Sequence, residues 1–184
     1  MSLHADAVIT LAGWNSPTYA QESLRLRYLA HLAEHPDAVS RDCHPDHLTA
    51  SVLIFSHDHS QVLLTLHKIA LRWLQTGGHT EPTDDALADA ALREGREESG
   101  IHDLSIDSMP VLLSHHEVPS CGPIRPSHHL DVQYVAVAAS GAVHVISDES
   151  DDLQWFGVEA LPTNTDDSVR ALTVACRQRL QGNP

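Results

Sequence analysis

Residues 78 to 101 read G-H-T-E-P-T-D-D-A-L-A-D-A-A-L-R-E-G-R-E-E-S-G-I, a run in which Arg93, Glu94, Glu97, Glu98, Gly100 and Ile101 hold fixed spacings. Wound as an α-helix, it places Glu94, Glu97 and Glu98 within about one third of the circumference, on neighbouring turns of one face. Like charges at i, i+3 and i+4 repel by about 0.2–0.5 kcal/mol per pair, so such a cluster calls for a cationic companion. A hard divalent ion is one candidate. Arg93 and Arg96 are another, because Asp89 to Arg93 and Arg93 to Glu97 are ordinary i, i+4 pairs on a solvated face.

The flanks of the helix favour the ion. Gly77 and Gly78 precede it and let backbone carbonyls approach a ligand, while Gly100 ends it as a C′ residue should. Pro82 with Thr83 or Asp84 marks the expected helix start, with acids in the first turn suiting the dipole. On the same wheel Leu87, Ala88, Ala91, Leu92 and Gly95 form an apolar stripe beside the acidic face. The carboxylates therefore belong at the rim of a packed surface, where a cleft forms.

This segment resembles the signature of the Nudix hydrolases, Gly-x5-Glu-x7-Arg-Glu-U-x-Glu-Glu-x-Gly-U, with U a bulky aliphatic residue. The motif covers Gly78 to Ile101, and the surrounding strand pattern extends a weaker resemblance over residues 48 to 180. The chain departs from the pattern in three ways. Gly78 and Arg93 are one residue further apart than usual, so either Asp84 keeps the spacing to the glycine or Asp85 keeps the spacing to the arginine; Asp85 is the preferred reading. The first acidic position is then an aspartate in place of glutamate. Gly95 stands where an aliphatic is usual, at a cost of about 1 kcal/mol in helix propensity.

The resemblance implies a metal-dependent hydrolase that cleaves the diphosphate linkage of a nucleoside diphosphate derivative or a nucleoside triphosphate. Glu94, Glu97 and Glu98, with the carbonyl of Gly77, would hold Mg²⁺ or Mn²⁺, hard ions that prefer oxygen ligands. Arg93 would orient Glu94. A non-catalytic nucleotide-sensing module of the same fold is the alternative, set against the retention of all three carboxylates. An isopentenyl diphosphate isomerase needs a cysteine near the glycine loop, and none lies between Cys43 and Cys121. Substrate class is marked in family subgroups by a proline or tyrosine past the signature; His115 to Pro119 fall there, without a tyrosine.

The elements around the signature indicate an α/β fold, a Nudix-like α/β/α sandwich with a mixed β-sheet. Strands are expected at 49–56 and 61–67 as a hairpin, at 73–75, 109–114, 128–138, 142–146 and 153–156, with a closing helix from Asp166 or Asp167 to Leu180. Residues 1–47 read as an N-terminal helical extension and 48–184 as the hydrolase domain. Within the extension, the helix from Pro17 to Ala33 carries Leu24, Tyr28, Leu29 and Leu32 on one side, a stripe that needs cover from the same subunit or from a homodimer partner.

In the run H-H-L-D-V-Q-Y-V-A-V, Leu130, Val132, Tyr134 and Ala136 point to one face and His129, Asp131, Gln133, Val135 and Val137 to the other. One face is thus polar at one end and apolar at the other. His129 and Asp131 are expected to face the cleft and assist the attacking water, as a base or as outer ligands of a second metal.

A net charge of -14 disfavours nucleic acid polymers and anionic membranes as partners and leaves a small anionic substrate open through a bound metal; the resemblance implies that this is a nucleotide-like diphosphate. Cys43, Cys121 and Cys176 are odd in number and widely spaced, so they read as reduced bystanders, and Cys43, His44 and His47 as loop residues without a metal. The N-terminus lacks the basic start and continuous apolar core of a signal peptide, which makes the cytoplasm the default location.

Overall fold

The computed structural model describes residues 1–118, 121–147 and 150–182; Pro119 lies outside them. Two helices come first, α1 (Leu3–Gly13) and α2 (Tyr19–Glu34), followed by strands β1 (Asp46–Phe55), β2 (Gln61–His67), β3 (Arg72–Leu74) and β4 (Thr76–His79). The signature helix is α3 (Leu87–Ser99), after which come β5 (Leu104–Ile106), β6 (Leu112–Val118), β7 (Ser127–Ala138), β8 (Ser150–Gly157) and the closing α4 (Asp167–Leu180).

The eight strands form one mixed sheet. Its spine is β1 paired in parallel with β7 from Asp46↔His128 to Phe55↔Val137. The other edge of β1 forks: Ile54 and Phe55 pair with β2, whereas Thr49 to Val52 pair with the glycine-bearing β4. On the far edge of β7, β6 takes one end and β5 the other. Strand β2 also pairs with β3 and β8.

Alternation along β1 and β7 separates two apolar layers. On one face Leu48, Ala50, Val52, Ile54, Leu130, Val132, Tyr134 and Ala136 pack with Ala7 and Leu11 of α1, Tyr28 and Leu32 of α2 and Leu87, Ala90 and Ala91 of α3. On the other, Leu53, Phe55, Val62, Leu64 and Val135 pack with Val169, Leu172 and Cys176 of α4. Helices therefore cover both faces, as the sandwich requires. The second face carries His47, Thr49 and Ser51 on β1 and His129, Asp131 and Gln133 on β7 at the end opposite the apolar one.

The stripe expected to cover apolar surface does so within the chain. Tyr28 and Leu32 are fully enclosed, and the Tyr28 hydroxyl donates to the Ser114 carbonyl at 2.8 Å. The amide of Gln21 clasps the backbone of Leu113 from both sides, at 2.7 and 2.9 Å.

Two expectations about elements need correction, and one helix of the extension had not been singled out. The segment 142–146 is not a strand: Val143 and Val145 are exposed, and the run is held by the Val145 N–H on the Ser99 carbonyl at the end of α3. The helix expected from residues 82–84 starts at Leu87, because Glu81 to Asp84 close a turn in which the Asp84 carboxylate accepts from the Glu81 N–H at 2.7 Å. The helix not singled out is α1; Ser2 caps it through its hydroxyl, and Leu3, Ala7 and Leu11 recur along one side. No helix among the described residues is long and apolar enough to cross a membrane.

Candidate active site

The placement of α3 begins with its ends. Ala86 occupies the N-cap position and has no side-chain acceptor, so the first free N–H, that of Leu87, donates to Asp6 Oδ2 of α1 at 2.9 Å. The far end closes on Gly100, whose φ of 68° is the left-handed turn that glycine adopts without strain. Between them the helix lies unusually close to β1. A Cβ built on Gly95 would stand 2.7 Å from Val52 Cγ1, so the glycine in the aliphatic position is what allows this approach.

With the apolar side pinned, the acidic side faces β4 and the turn before α3. Arg93 organises it. Its Nε and Nη2 donate to the two oxygens of Asp84, each at 3.1 Å, Nη2 also reaches the His79 carbonyl at 2.9 Å, and Nη1 reaches Glu94 at 2.9 Å and Glu97 at 3.0 Å. These partners, Asp84 foremost and Glu94 after it, raise the guanidinium pKa further, against the effect of burial. The first acidic position is thus filled by Asp84, which is buried, and the preference for Asp85, which is exposed, is overturned. The extra residue is accommodated after the brace, between Asp84 and the start of α3.

Glu98 is buried and accepts from the Gly77 N–H at 2.7 Å, tying the helix to β4. Gly78 meets Glu94 so closely that an added Cβ would come within 2.8 Å of its carboxylate, and a Cβ on Gly77 would run into Ser51. Glu97 is the most open of the three, with 59% of its side chain exposed, against 14% for Glu94. The result is a graded set of oxygen donors, two anchored and one at the surface, beside a strand whose glycines leave room. Its chemistry fits a hard divalent ion.

His129 and Asp131 have other neighbours. The Asp131 carboxylate is 3% exposed and accepts from Ser51 at 2.7 Å, Thr49 at 3.0 Å and Gln133 at 3.3 Å. His129 stands among the rings of His47 and His79, both with centroids 5.0 Å away, and burial, followed by the nearby His79, pushes its pKa down to about 3. His79 is lowered to about 4, again by burial first and then by His47. Cys121 completes this group, with Sγ 3.5 Å from His47 Nε2 and 3.4 Å from His79 Nε2.

His47 and Cys121, read in the sequence as a loop residue and a bystander, are therefore the buried members of one cluster, with His79 and His129 half-buried beside them. The available signal was the matched alternation of His47, Thr49 and Ser51 with His129, Asp131 and Gln133, which only the parallel pairing of β1 and β7 converts into proximity.

A family model, the NUDIX domain, matches residues 45–175. Among solved structures, a Nudix-family hydrolase from Clostridium perfringens superposes with a TM-score of 0.60 at 25% identity, over 72% of this chain and 97% of that one. The Ap4A hydrolase of C. elegans shares the fold with a TM-score of 0.59 at 18% identity, over 73% and 98% of the two chains. The NUDIX domain of Shewanella oneidensis NrtR, solved with ADP ribose, does so with a TM-score of 0.57 at 19% identity, over 82% and 97%. No curated protein sequence matches the chain. Signature, sheet and family match agree that the chain belongs to the Nudix family and is a Nudix-type pyrophosphohydrolase.

Proposed function

We propose that this Nudix protein is a metal-dependent hydrolase cleaving the diphosphate linkage of a nucleoside diphosphate derivative or a nucleoside triphosphate. The observation that carries the proposal is the gathering of Glu94 and Glu97 onto one guanidinium nitrogen of Arg93, next to a Glu98 fixed on the glycine strand. Glu94, Glu97 and Glu98, with the Gly77 carbonyl, are the residues assigned to hold Mg²⁺ or Mn²⁺. The chemistry contributed by such an ion is neutralisation of the diphosphate charge and activation of a water.

The rest is the work of side chains. Asp84 fixes the plane of the guanidinium through two parallel hydrogen bonds. Arg93 in turn holds Glu94 and Glu97 in position, acting as a positioning residue that does not touch the substrate. Glu98 sets the distance between α3 and β4, so the glycines present backbone at the mouth of the site. The three cysteines are free and buried, a state that supports a reducing location such as the cytoplasm.

Glu98→Gln tests the proposal, since glutamine keeps an acceptor for the Gly77 N–H and removes only the charge. Formation of nucleoside monophosphate, followed by chromatography across a panel of nucleotide-linked diphosphates and nucleoside triphosphates, should fall at least about a hundredfold, or roughly 2.7 kcal/mol, with folding hardly changed. EDTA should abolish wild-type turnover reversibly. Near-normal hydrolysis by the variant at saturating Mg²⁺ would remove Glu98 from the ligand set. Wild-type binding of a nucleotide with no turnover in either metal would instead favour the sensing module.

A further inference from the structure

We propose that His47, His79, Cys121 and His129 form a second, structural metal site of the Cys-His₃ type that takes Zn²⁺. One ligand atom from each residue lies within 4.8 Å of all the others. The two Sγ to Nε2 separations of 3.5 and 3.4 Å are those of a tetrahedral ion: Zn–S of about 2.3 Å and Zn–N of about 2.05 Å put sulfur and nitrogen about 3.5 Å apart at the tetrahedral angle.

The proton inventory of the cluster supports the same conclusion. His47 Nδ1 lies 3.1 Å from the Cys43 carbonyl, which only accepts, so Nδ1 carries the hydrogen and Nε2 turns its lone pair toward Cys121. This is the outer hydrogen bond that orients an imidazole for a metal. A thiol has one proton and can donate it to His47 or to His79, but not to both. His129 Nε2 is buried with no hydrogen-bond partner. Even if His79 Nε2 carries the hydrogen and donates to the sulfur, hydrogen bonding within the group leaves the buried His129 Nε2 unmet, whereas one cation serves all four atoms. Binding is balanced by loss of the Cys121 thiol proton, which leaves as H⁺ while the thiolate and three neutral imidazoles become ligands.

Ligand chemistry distinguishes the two sites. Carboxylates on α3 select hard ions, whereas imidazole with thiolate selects zinc. With four protein ligands the site is closed, which marks it as structural rather than catalytic. The ligands come from β1, β4, β7 and the segment joining β6 to β7, and His47 and His129 are register partners in the spine of the sheet. The ion would clamp the polar end of the face that α4 leaves uncovered. It would also fix the strand residue whose carbonyl receives Arg93, since His79 offers its ring to one site and its backbone to the other.

Elemental analysis of the full chain, purified from zinc-supplemented medium without chelator, tests the site without reference to turnover. About one zinc per chain is expected, and after stripping and Co²⁺ loading, tetrahedral d–d bands with a thiolate-to-cobalt charge-transfer band. Cys121→Ser should weaken zinc binding by more than the roughly ten- to hundredfold cost of losing an outer partner. Cys121→His should keep the ion and lose the charge-transfer band, a readout that stands even if the serine variant folds poorly. Glu97→Gln, on the acidic face, should keep its zinc, so failure of the hydrolase assignment and failure of this site are separable. Wild-type protein that takes up no zinc on titration and shows no thiolate–cobalt band would overturn the proposal, as would a Cys121→Ser variant with undiminished zinc affinity.

Discussion

Replacing Asp84 with Asn leaves its shape and removes its charge, and the structure sets the size of the effect. Asp84 meets Arg93 through two hydrogen bonds of 3.1 Å, and its side chain is only 5% exposed. Breaking a buried pair by removing one partner costs about 3–5 kcal/mol. Arg93, however, is 19% exposed and keeps Glu94, Glu97 and the His79 carbonyl, so solvent and the remaining acceptors recover part of that loss. A net destabilisation of about 2–3 kcal/mol follows, equivalent to roughly 5–10 °C in Tm for a chain of this size. The asparagine amide would also point a donor at a guanidinium that needs acceptors, so turnover should fall with stability. Asp85→Asn, at an exposed position, should stay within about 0.5 kcal/mol of wild type. Urea unfolding of both variants, with nucleoside monophosphate formation measured in parallel, decides the matter. Equal effects at the two positions, or a larger one at Asp85, would refute the assignment of Asp84 as the brace.

Gly95→Ala should destabilise by about 1–2 kcal/mol although alanine is the better helix former, because its Cβ would crowd the stiff side chain of Val52; a double-mutant cycle with Val52→Ala by chemical denaturation should show coupling of about 1 kcal/mol, and strict additivity would argue against the contact. Asp6→Ala removes the acceptor at the start of α3 and should cost about 1 kcal/mol in thermal or urea unfolding, with hydrogen exchange at Leu87 accelerated; unchanged exchange there would count against the cap. Arg25, and after it Ser16, hold the Glu22 carboxyl down from 4.5 to about 2, so its contribution to stability is present above pH 4.5 and is lost as the pH falls toward 2. The melting difference between wild type and Glu22→Gln should accordingly be largest near neutrality and vanish near pH 2, and a difference that grows in acid would reverse the sign of the argument.

The acidic face of α3, its terminating glycine and the half-polar face of β7 were legible in the sequence because each is written in local spacing. So was α2, whose stripe finds its cover on β6 and the core. What was not legible depends on pairing between distant segments. Asp84 and Asp85 are indistinguishable by spacing alone once an extra residue is present, and only the path of the turn brings Asp84 to Arg93. Residues 142–146 carry a strand-like composition, yet they are held by the end of α3 instead of by a neighbouring strand. His47, His79, Cys121 and His129 are spread over 83 positions, counting from 47 to 129, and meet only because β1, β4 and β7 lie side by side.

The bond from Leu87 to Asp6 joins residues 81 positions apart. A helix start is normally a local matter, settled by a residue already adjacent in the chain, and can form early in folding. Here the acceptor comes from a helix far away in the chain, so a long loop must close before the first turn of α3 is capped. The same link runs in the other direction in the folded protein: each time α1 lifts from the core, the first turn of α3 loses its acceptor and becomes open to exchange. Asp6 thus couples the opening of the first turn of α3 to the docking of α1.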